Sequence, residues 1–127
     1  MYEVKIRAHF SAAHKISEHP GKCQNLHGHN WNVDVTVQAE SLNRIGMAID
    51  FSDVKGALRE ILSPMDHSYL NELPLFSTLE NNPTAENIAR HIFQETASQL
   101  RIMAPQARVT RVDIYETDTC SASYFES

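Results

Sequence analysis

The sequence predicts an α+β domain in which one antiparallel sheet packs against two helices on one face, in the order β-β-α-α-β-β. Two early segments alternate apolar and polar residues with the period of a half-buried strand. Two middle segments repeat apolar residues at helical spacing, and two further strand-like segments close the chain. Because 127 residues suffice for one hydrophobic core, we expect a single domain over residues 1–127.

The predicted strands follow from alternation. The first covers residues 4–10 and the second residues 31–39, and each places apolar side chains at every second position. Residues 109–116 and 121–125 give the last two strands. Four strands in an open sheet leave two unpaired edges, which chains commonly cover by oligomerising. We therefore expect a homo-oligomer.

The helices follow from apolar spacing. From Val54, apolar residues recur at i, i+3, i+4, i+7 and i+8, which predicts an amphipathic helix ending near Pro64. Thr84 suits the N-cap of a second helix, whose apolar stripe continues to Leu100. Residues 64–83 contain three prolines and predict an irregular segment between the helices.

Composition narrows the function classes. A net charge of −5 argues against non-specific nucleic-acid binding, and no apolar run approaches the ~20 residues that span a bilayer. The N-terminus alternates charged and apolar residues, unlike a secretory leader. We expect a cytoplasmic protein with no nucleic-acid or membrane partner and with Cys23 and Cys120 as reduced thiols. Seven histidines hint at metal or proton chemistry.

The histidines of residues 23–29 stand out. His27 and His29 are two apart, so in extended backbone both imidazoles leave the same face. Extending both early strands puts these rings and His14 in phase with apolar residues such as Trp31. Three imidazoles on the apolar side of one hairpin predict a Zn²⁺ site with an open fourth position. A polar turn, or core histidines bonded to carbonyls, is the alternative.

Two carboxylates suggest further chemistry. Glu116 is in phase with the apolar residues of its strand, where an ionised carboxylate is costly unless paired. Its partner is either an arginine, Arg108 or Arg111, or a ligand that offers paired N–H donors. Asp66 precedes His67 and could orient an imidazole that converts the Cys23 thiol to a thiolate, although a solvated turn is the alternative.

Six segments, taken together and in order, resemble the 6-pyruvoyltetrahydropterin synthase superfamily over nearly the whole chain. They are residues 10–14, 23–29, 46–51, 65–71, 82–87 and 115–117. The three-residue gap between Cys23 and His-Gly-His is similar to the queuosine-pathway branch, 6-carboxy-5,6,7,8-tetrahydropterin synthase. Branches that make 6-pyruvoyltetrahydropterin tend to have a longer gap.

The resemblance implies the tunnelling fold, in which sheets join into a barrel, usually as trimers stacked into a hexamer with the active site between subunits. The implied enzyme is a zinc-dependent lyase of queuosine biosynthesis. It converts 7,8-dihydroneopterin triphosphate and water to 6-carboxy-5,6,7,8-tetrahydropterin, acetaldehyde and triphosphate. The implied site residues are zinc ligands, acid/base groups and pterin contacts: His14, His27 and His29; Cys23, Asp66 and His67; Glu116, Thr84, Glu86 and Thr117.

Several assignments stay open at this point. Thr84 is equally well explained as a helix cap alone, and Lys15 and Lys22 are candidates for the triphosphate from charge alone. A reactive role for Cys120 stays open, but a small, half-buried residue is the preferred interpretation. Other functions are a 6-pyruvoyltetrahydropterin synthase, a non-catalytic pterin- or purine-binding protein, and a structural zinc site with Cys23 as fourth ligand.

Overall fold

A computed structural model describes residues 1–126. Its elements in chain order are β1 (Tyr2–His14), β2 (His27–Ala39), α1 (Phe51–Leu62), β3 (Ser68–Tyr69), α2 (Ala85–Met103), β4 (Ala107–Thr117) and β5 (Cys120–Phe125). The strands form one five-stranded sheet in the order β3-β1-β2-β4-β5. α1 packs on β1, α2 packs on β4 and β5, and the helices contact each other. The mixed α+β class is confirmed.

The β1–β2 hairpin is paired without interruption from Tyr2 opposite Ala39 to His14 opposite His27. Both strands therefore extend to His14 and His27, as predicted when the alternating pattern was continued beyond residues 10 and 31. β2 pairs antiparallel with β4, and β4 pairs antiparallel with β5. The hairpin consequently holds one strict register over its whole length, which decides the face on which each side chain lies.

The prediction of four strands in a fully antiparallel sheet was wrong in one respect. Two residues of the segment predicted to be irregular form β3, which runs parallel to β1 beside Ala12 and Ala13. The His67 N–H donates to the Ser11 carbonyl at 2.6 Å, and the Ser11 N–H donates to Asp66 Oδ1 at 3.0 Å. β3 is therefore formed by long-range hydrogen bonds. A strand of two residues is too short to show an alternating pattern in the sequence.

The core lies between the sheet and the helices. Trp31, Val33 and Val35 of β2 are fully buried, as the period-two pattern requires. Phe10 stacks on Trp31 with ring centroids 5.8 Å apart, and the Trp31 indole donates to the Ala12 carbonyl at 3.2 Å. Each such side chain contributes roughly 1.5–3 kcal/mol by leaving water, so this layer holds the hairpin firmly against the helices.

Both helices begin at a side-chain cap. Asp50 accepts a hydrogen bond from the Ser52 N–H at 2.9 Å, and Thr84 Oγ1 accepts from the Asn87 N–H at 3.1 Å. Each cap satisfies a backbone donor that has no partner within its helix. Within residues 1–126, neither helix is long and apolar enough to cross a membrane.

Thr84→Ala removes the α2 cap and should lower the free energy of unfolding by about 1 kcal/mol, because the Asn87 N–H loses its acceptor. Thr84→Ser keeps the hydroxyl and should lose less than about half as much. Urea denaturation followed by circular dichroism measures both variants. Equal losses for alanine and serine would show that the hydroxyl does not stabilise the helix.

Candidate metal and ligand site

Three imidazoles meet at the end of the β1–β2 hairpin. The register puts His14 opposite His27, and the two-residue period of β2 brings His29 to the same face. One potential ligand atom from each ring lies within 4.8 Å of the other two. The ring centroids are 4.5, 5.2 and 4.9 Å apart. Trp31 contacts His14 and His29 edge-to-face and forms an apolar wall.

Backbone carbonyls orient two of the rings. The Nδ1 atoms of His14 and His27 lie 2.7 Å from the carbonyl oxygens of Pro83 and Asn25. A carbonyl only accepts hydrogen bonds, so each Nδ1 carries the proton and each neutral ring keeps its Nε2 lone pair. This is the arrangement by which proteins present histidine to a metal ion.

The inner nitrogens lack protein partners. The Nε2 atoms of His14 and His29 are buried and form no hydrogen bond within residues 1–126. An unsatisfied buried polar atom costs roughly 1–3 kcal/mol, so two of them facing a common point indicate a bound group. Three converging imidazoles suit a divalent metal such as Zn²⁺. These residues therefore fit the metal that the resemblance implies.

Burial keeps the rings of His14 and His29 neutral. Burial is the main cause that lowers the pKa of His14 to about 4; the hydrogen bond with the Pro83 carbonyl opposes this shift, and the neighbouring imidazoles of His27 and His29 add to it. Burial also lowers the pKa of His29, against the opposing effect of the Glu116 carboxylate. Since metal ligation requires unprotonated imidazole, His14 and His29 are in the competent form at neutral pH.

Glu116 borders the cluster. Its Oε2 lies 3.8 Å from His29 Nε2, whereas neither Arg108 nor Arg111 is within 4.0 Å of it in the described chain. Arg111 instead binds Asp113, with Nε 2.9 Å from Oδ1. The arginine alternative for Glu116 is therefore excluded by the structure, and its carboxylate remains available to a ligand.

A cavity of about 280 Å³ opens beside Glu116. Glu86, from the first turn of α2, lines it together with residues 120–123 of β5. Cys120 was expected to be half-buried, but it is exposed and lines this cavity, because it lies opposite Thr117 at the open β4–β5 turn. The cavity thus combines two carboxylates and a thiol near the histidine cluster.

Asp66 and His67 lie at the sheet edge, apart from the cluster. His67 Nδ1 is 3.0 Å from Asp66 Oδ1, and the His67 side chain is 82% exposed. The hydrogen bond from the Ser11 N–H is the main cause that lowers the pKa of Asp66. Ser11 precedes His14 by three residues, roughly 10 Å along a strand. The predicted acid/base pair is therefore preformed but distant from the metal ligands within one copy.

Cys23 lies in a short 3₁₀ turn, Lys22–Gln24, between the two strands. It is half-buried, and both it and Cys120 are free thiols, as predicted. Its backbone carbonyl accepts a hydrogen bond from the Ile16 N–H at 2.6 Å. Within residues 1–126, no cysteine joins the three histidines inside 4.8 Å, so the geometry does not support a structural zinc site completed by Cys23.

Two asparagines support the site and were not anticipated. The Asn71 amide bonds both the N–H and the carbonyl of Lys15 at 2.9 Å, and the Asn82 amide bonds those of Ser17 at 3.3 and 3.1 Å. Their side-chain amides bond the backbone of residues 15–17, just after His14, as a neighbouring strand would. The only sequence signal was their presence in segments shared with the family.

The remaining residues implied by the resemblance are not among those that line the cavity. Thr84 is the α2 cap already described, and Thr117 ends β4 with its hydroxyl 3.3 Å from that of Thr119. Lys15 and Lys22 are exposed on the connection between β1 and β2. The contacts of Thr84 and Thr117 are local, so a role in ligand binding stays a prediction for both.

Comparison with known proteins identifies relatives over the full chain. The sequence profile described as 6-pyruvoyl tetrahydropterin synthase matches residues 3–127. The chain is 33% identical to the 6-carboxy-5,6,7,8-tetrahydropterin synthase of Rickettsia conorii, over 94% of this chain and 97% of the relative. Identity to the protein of the same name from Haemophilus influenzae is 31%, over 99% and 100%.

Solved structures share the fold. The 6-pyruvoyl tetrahydropterin synthase of Caenorhabditis elegans superposes with a TM-score of 0.87 at 27% identity, covering 99% of this chain and 96% of that one. The corresponding protein of Plasmodium falciparum gives a TM-score of 0.77 at 21% identity, covering 98% and 97%. The five-stranded sheet with two helices is therefore a known architecture.

The metal-free protein should lose stability as the pH falls from about 6.5 through about 4. His14 binds a proton in the unfolded chain below its ordinary pKa of 6.5, but in the folded protein only near 4. The stabilisation present above pH 6.5 is lost across this window, by about 3 kcal/mol for His14. Urea denaturation at several pH values should show a flatter dependence for His14→Gln. His9→Gln, at an exposed position of β1, is the control, and equal slopes for all three proteins would contradict the assignment.

Proposed function

The chain belongs to the 6-pyruvoyl tetrahydropterin synthase family, and from this premise we propose that it is a zinc-dependent 6-carboxy-5,6,7,8-tetrahydropterin synthase. The reaction is the lyase conversion of 7,8-dihydroneopterin triphosphate and water to the carboxypterin, acetaldehyde and triphosphate, in queuosine biosynthesis. The observation that carries this proposal is the convergence of three imidazoles beside the Glu116 carboxylate, which has no arginine partner in the described chain.

His14, His27 and His29 would hold the metal through the nitrogens that face one another. Zn²⁺ bound there supplies Lewis acidity toward the hydroxyl groups of the substrate side chain. The carbonyls of Pro83 and Asn25 keep the ligand rings in position, and Trp31 limits access of water from the core side. The protein thus preorganises the ligands before any metal arrives.

Glu116 is proposed to fix the pterin. An ionised carboxylate accepts two hydrogen bonds, which matches the adjacent 2-amino and N3 donors of the pterin ring. Its 3.8 Å separation from His29 supports a binding mode in which the pterin ring lies next to the metal ligands. Glu86 lines the same cavity, and Thr84 and Thr117, which adjoin the lining residues Ala85 and Glu116 in the chain, are proposed to complete the pocket.

Proton transfer is assigned to Cys23 and His67. The Cys23 thiolate would remove a proton from the substrate side chain, and His67 would return one. Because His67 Nδ1 faces Asp66, its exposed Nε2 is the nitrogen that exchanges protons. Asp66 is itself held by the Ser11 N–H, so the pair is oriented by the edge of the sheet.

We propose that copies of the chain associate through their sheet edges, as trimers or hexamers. Within the described residues, β3 covers β1 only at Ala12 and Ala13, and β5 has one unpaired side. Laid against β1, the β5 of a neighbour would continue the antiparallel pattern. Its Cys120 end would then meet the end of β1 that carries Ser11 and, through it, His67. The neighbour's cavity would thereby gain the acid/base pair that one copy keeps distant.

A 6-pyruvoyltetrahydropterin synthase is the second candidate, favoured by the similarity to the Caenorhabditis elegans structure. Both reactions use the same metal, glutamate and thiol, so the geometry of these groups does not separate them. The products do, because only the carboxy branch releases acetaldehyde. A non-catalytic pterin-binding protein would retain Glu116 and need no Cys23.

Metal binding should depend on each of the three histidines. His27→Ala or His29→Ala should reduce bound zinc, measured by elemental analysis after dialysis, from about one per chain to less than about 0.2, because two imidazoles hold zinc weakly. His9→Ala is the matched control and should keep its zinc, since His9 is exposed on β1 away from the cluster. Full zinc occupancy in the cluster variants would refute the metal site.

Zinc-loaded protein incubated with 7,8-dihydroneopterin triphosphate should release acetaldehyde and 6-carboxytetrahydropterin, identified by mass spectrometry. Cys23→Ala should lower kcat by at least about 100-fold, because the group that removes the proton is lost. Cys120→Ser replaces the other free thiol and should lower it less than about tenfold. A pyruvoyl product without aldehyde would favour the second candidate, and equal activity of wild type and Cys23→Ala would favour the binding protein.

A further inference from the structure

A second concave region lies outside the histidine cluster, between α1 and the β1 edge. This groove has a volume of about 350 Å³. Its polar lining includes Arg7 from β1, Lys55 and Arg59 from α1, and Ser63 and Asp66 from the segment that follows. Asp66 is therefore shared between this groove and the proposed acid/base pair.

Of the three cationic side chains in the groove, only that of Arg7 has a carboxylate partner within the described residues. Arg7 is committed to Asp34, with contacts of 2.6 and 2.9 Å, and its guanidinium lies over the Tyr115 ring. In the part of the chain that the structure describes, no carboxylate lies within 4.0 Å of the Lys55 or Arg59 nitrogens. Neither of these two cations therefore forms an ion pair there, in a protein whose net charge is −5.

Helix geometry places these two charges together. Lys55 and Arg59 are four residues apart on α1, so their side chains leave the same face of the helix about 6 Å apart at Cβ. Both are exposed, and the Ser63 hydroxyl adds a hydrogen-bond donor one turn further on. Two adjacent cations with a hydroxyl make a site for a multiply charged anion rather than for a single carboxylate.

We propose that this groove binds the triphosphate group of the substrate, with Lys55 and Arg59 as its principal contacts. This inference rests on the proposed function for the identity of the substrate. The triphosphate leaves the pterin at the end opposite the ring edge that Glu116 would hold. It therefore points away from the Glu116 cavity, and the groove begins at Asp66, beside the groups assigned to proton transfer.

The placement of the triphosphate in the groove agrees with the edge-to-edge association proposed above. A neighbour's β5 on β1 brings its Glu116 cavity to the end of β1 where Ser11 binds Asp66. A substrate held in that cavity could then direct its phosphates across the Asp66–His67 pair into the groove of the adjoining copy. Lys55 and Arg59 are thereby assigned to bind the anion and to retain the triphosphate as the leaving group departs.

The first experiment measures direct binding of inorganic tripolyphosphate to the zinc-loaded protein by isothermal titration calorimetry, with zinc content checked afterwards. Lys55→Gln combined with Arg59→Gln should weaken binding at least about tenfold relative to wild type. Lys15→Gln combined with Lys22→Gln removes the other candidate cations and should change it less than about twofold. Lys55→Arg with Arg59→Lys keeps both charges and should retain most of the affinity.

The second experiment measures turnover. The Lys55→Gln and Arg59→Gln double variant should raise KM for dihydroneopterin triphosphate about tenfold while kcat changes less than about threefold, because positioning charges are lost and reacting groups remain. Circular dichroism checks that α1 is intact in this variant.

The two experiments test the groove assignment separately from the proposed function. Absence of tripolyphosphate binding by wild type, equal binding by the Lys55/Arg59 double variant, or loss confined to the Lys15/Lys22 double variant would overturn the groove assignment. Because that titration needs no catalysis, a failure to form acetaldehyde would refute the proposed function and leave the binding result to decide the groove. An unchanged KM in an active variant would also count against it.

Discussion

The register of the β1–β2 hairpin is the constraint on which the site depends. With His14 opposite His27, the alternation of β2 carries His29 to the same side, and all three rings face the buried layer. A slip of one residue would move the imidazoles of one strand to the opposite face. The continuous pairing of both strands and the buried Trp31 layer make such a slip costly. The packing that stabilises the fold therefore also aligns the candidate metal ligands.

Burial has opposite consequences for folding and for ligation at this position. It leaves the Nε2 atoms of His14 and His29 without protein partners, which destabilises the metal-free protein, and it keeps both rings unprotonated, which suits a metal. The Pro83 carbonyl and the Asn82 amide hold the His14 end of β1 from the segment before α2. The groups that fix the orientation of His14 are therefore far from it in the sequence.

The proposed functional groups form two sets on one sheet. The histidines and Glu116 lie across β1, β2 and β4, whereas Asp66, His67 and the basic groove lie beside the outer edge of β1. Association of a neighbour's β5 with β1 would bring the two sets together. In that arrangement the unpaired edges, which expose backbone donors and acceptors in a single copy, become the means by which the site is completed.

Alternation and apolar spacing were sufficient to locate four strands, both helices, the Thr84 cap and the common face of His14, His27 and His29. The strands, the helices and the common face depend on periods of two and 3.6 residues, and the cap depends on the residue type that precedes the helix. Strand phase also indicated Glu116 as an anchor for a ligand with paired N–H donors, whereas its assignment to a pterin and the catalytic roles of Cys23 and His67 came from the family resemblance. Tertiary contacts alone decided the position of β3, the exposure of Cys120 in the cavity and the Pro83 bond to His14. Such contacts join residues as many as 69 positions apart, and no local pattern encodes them.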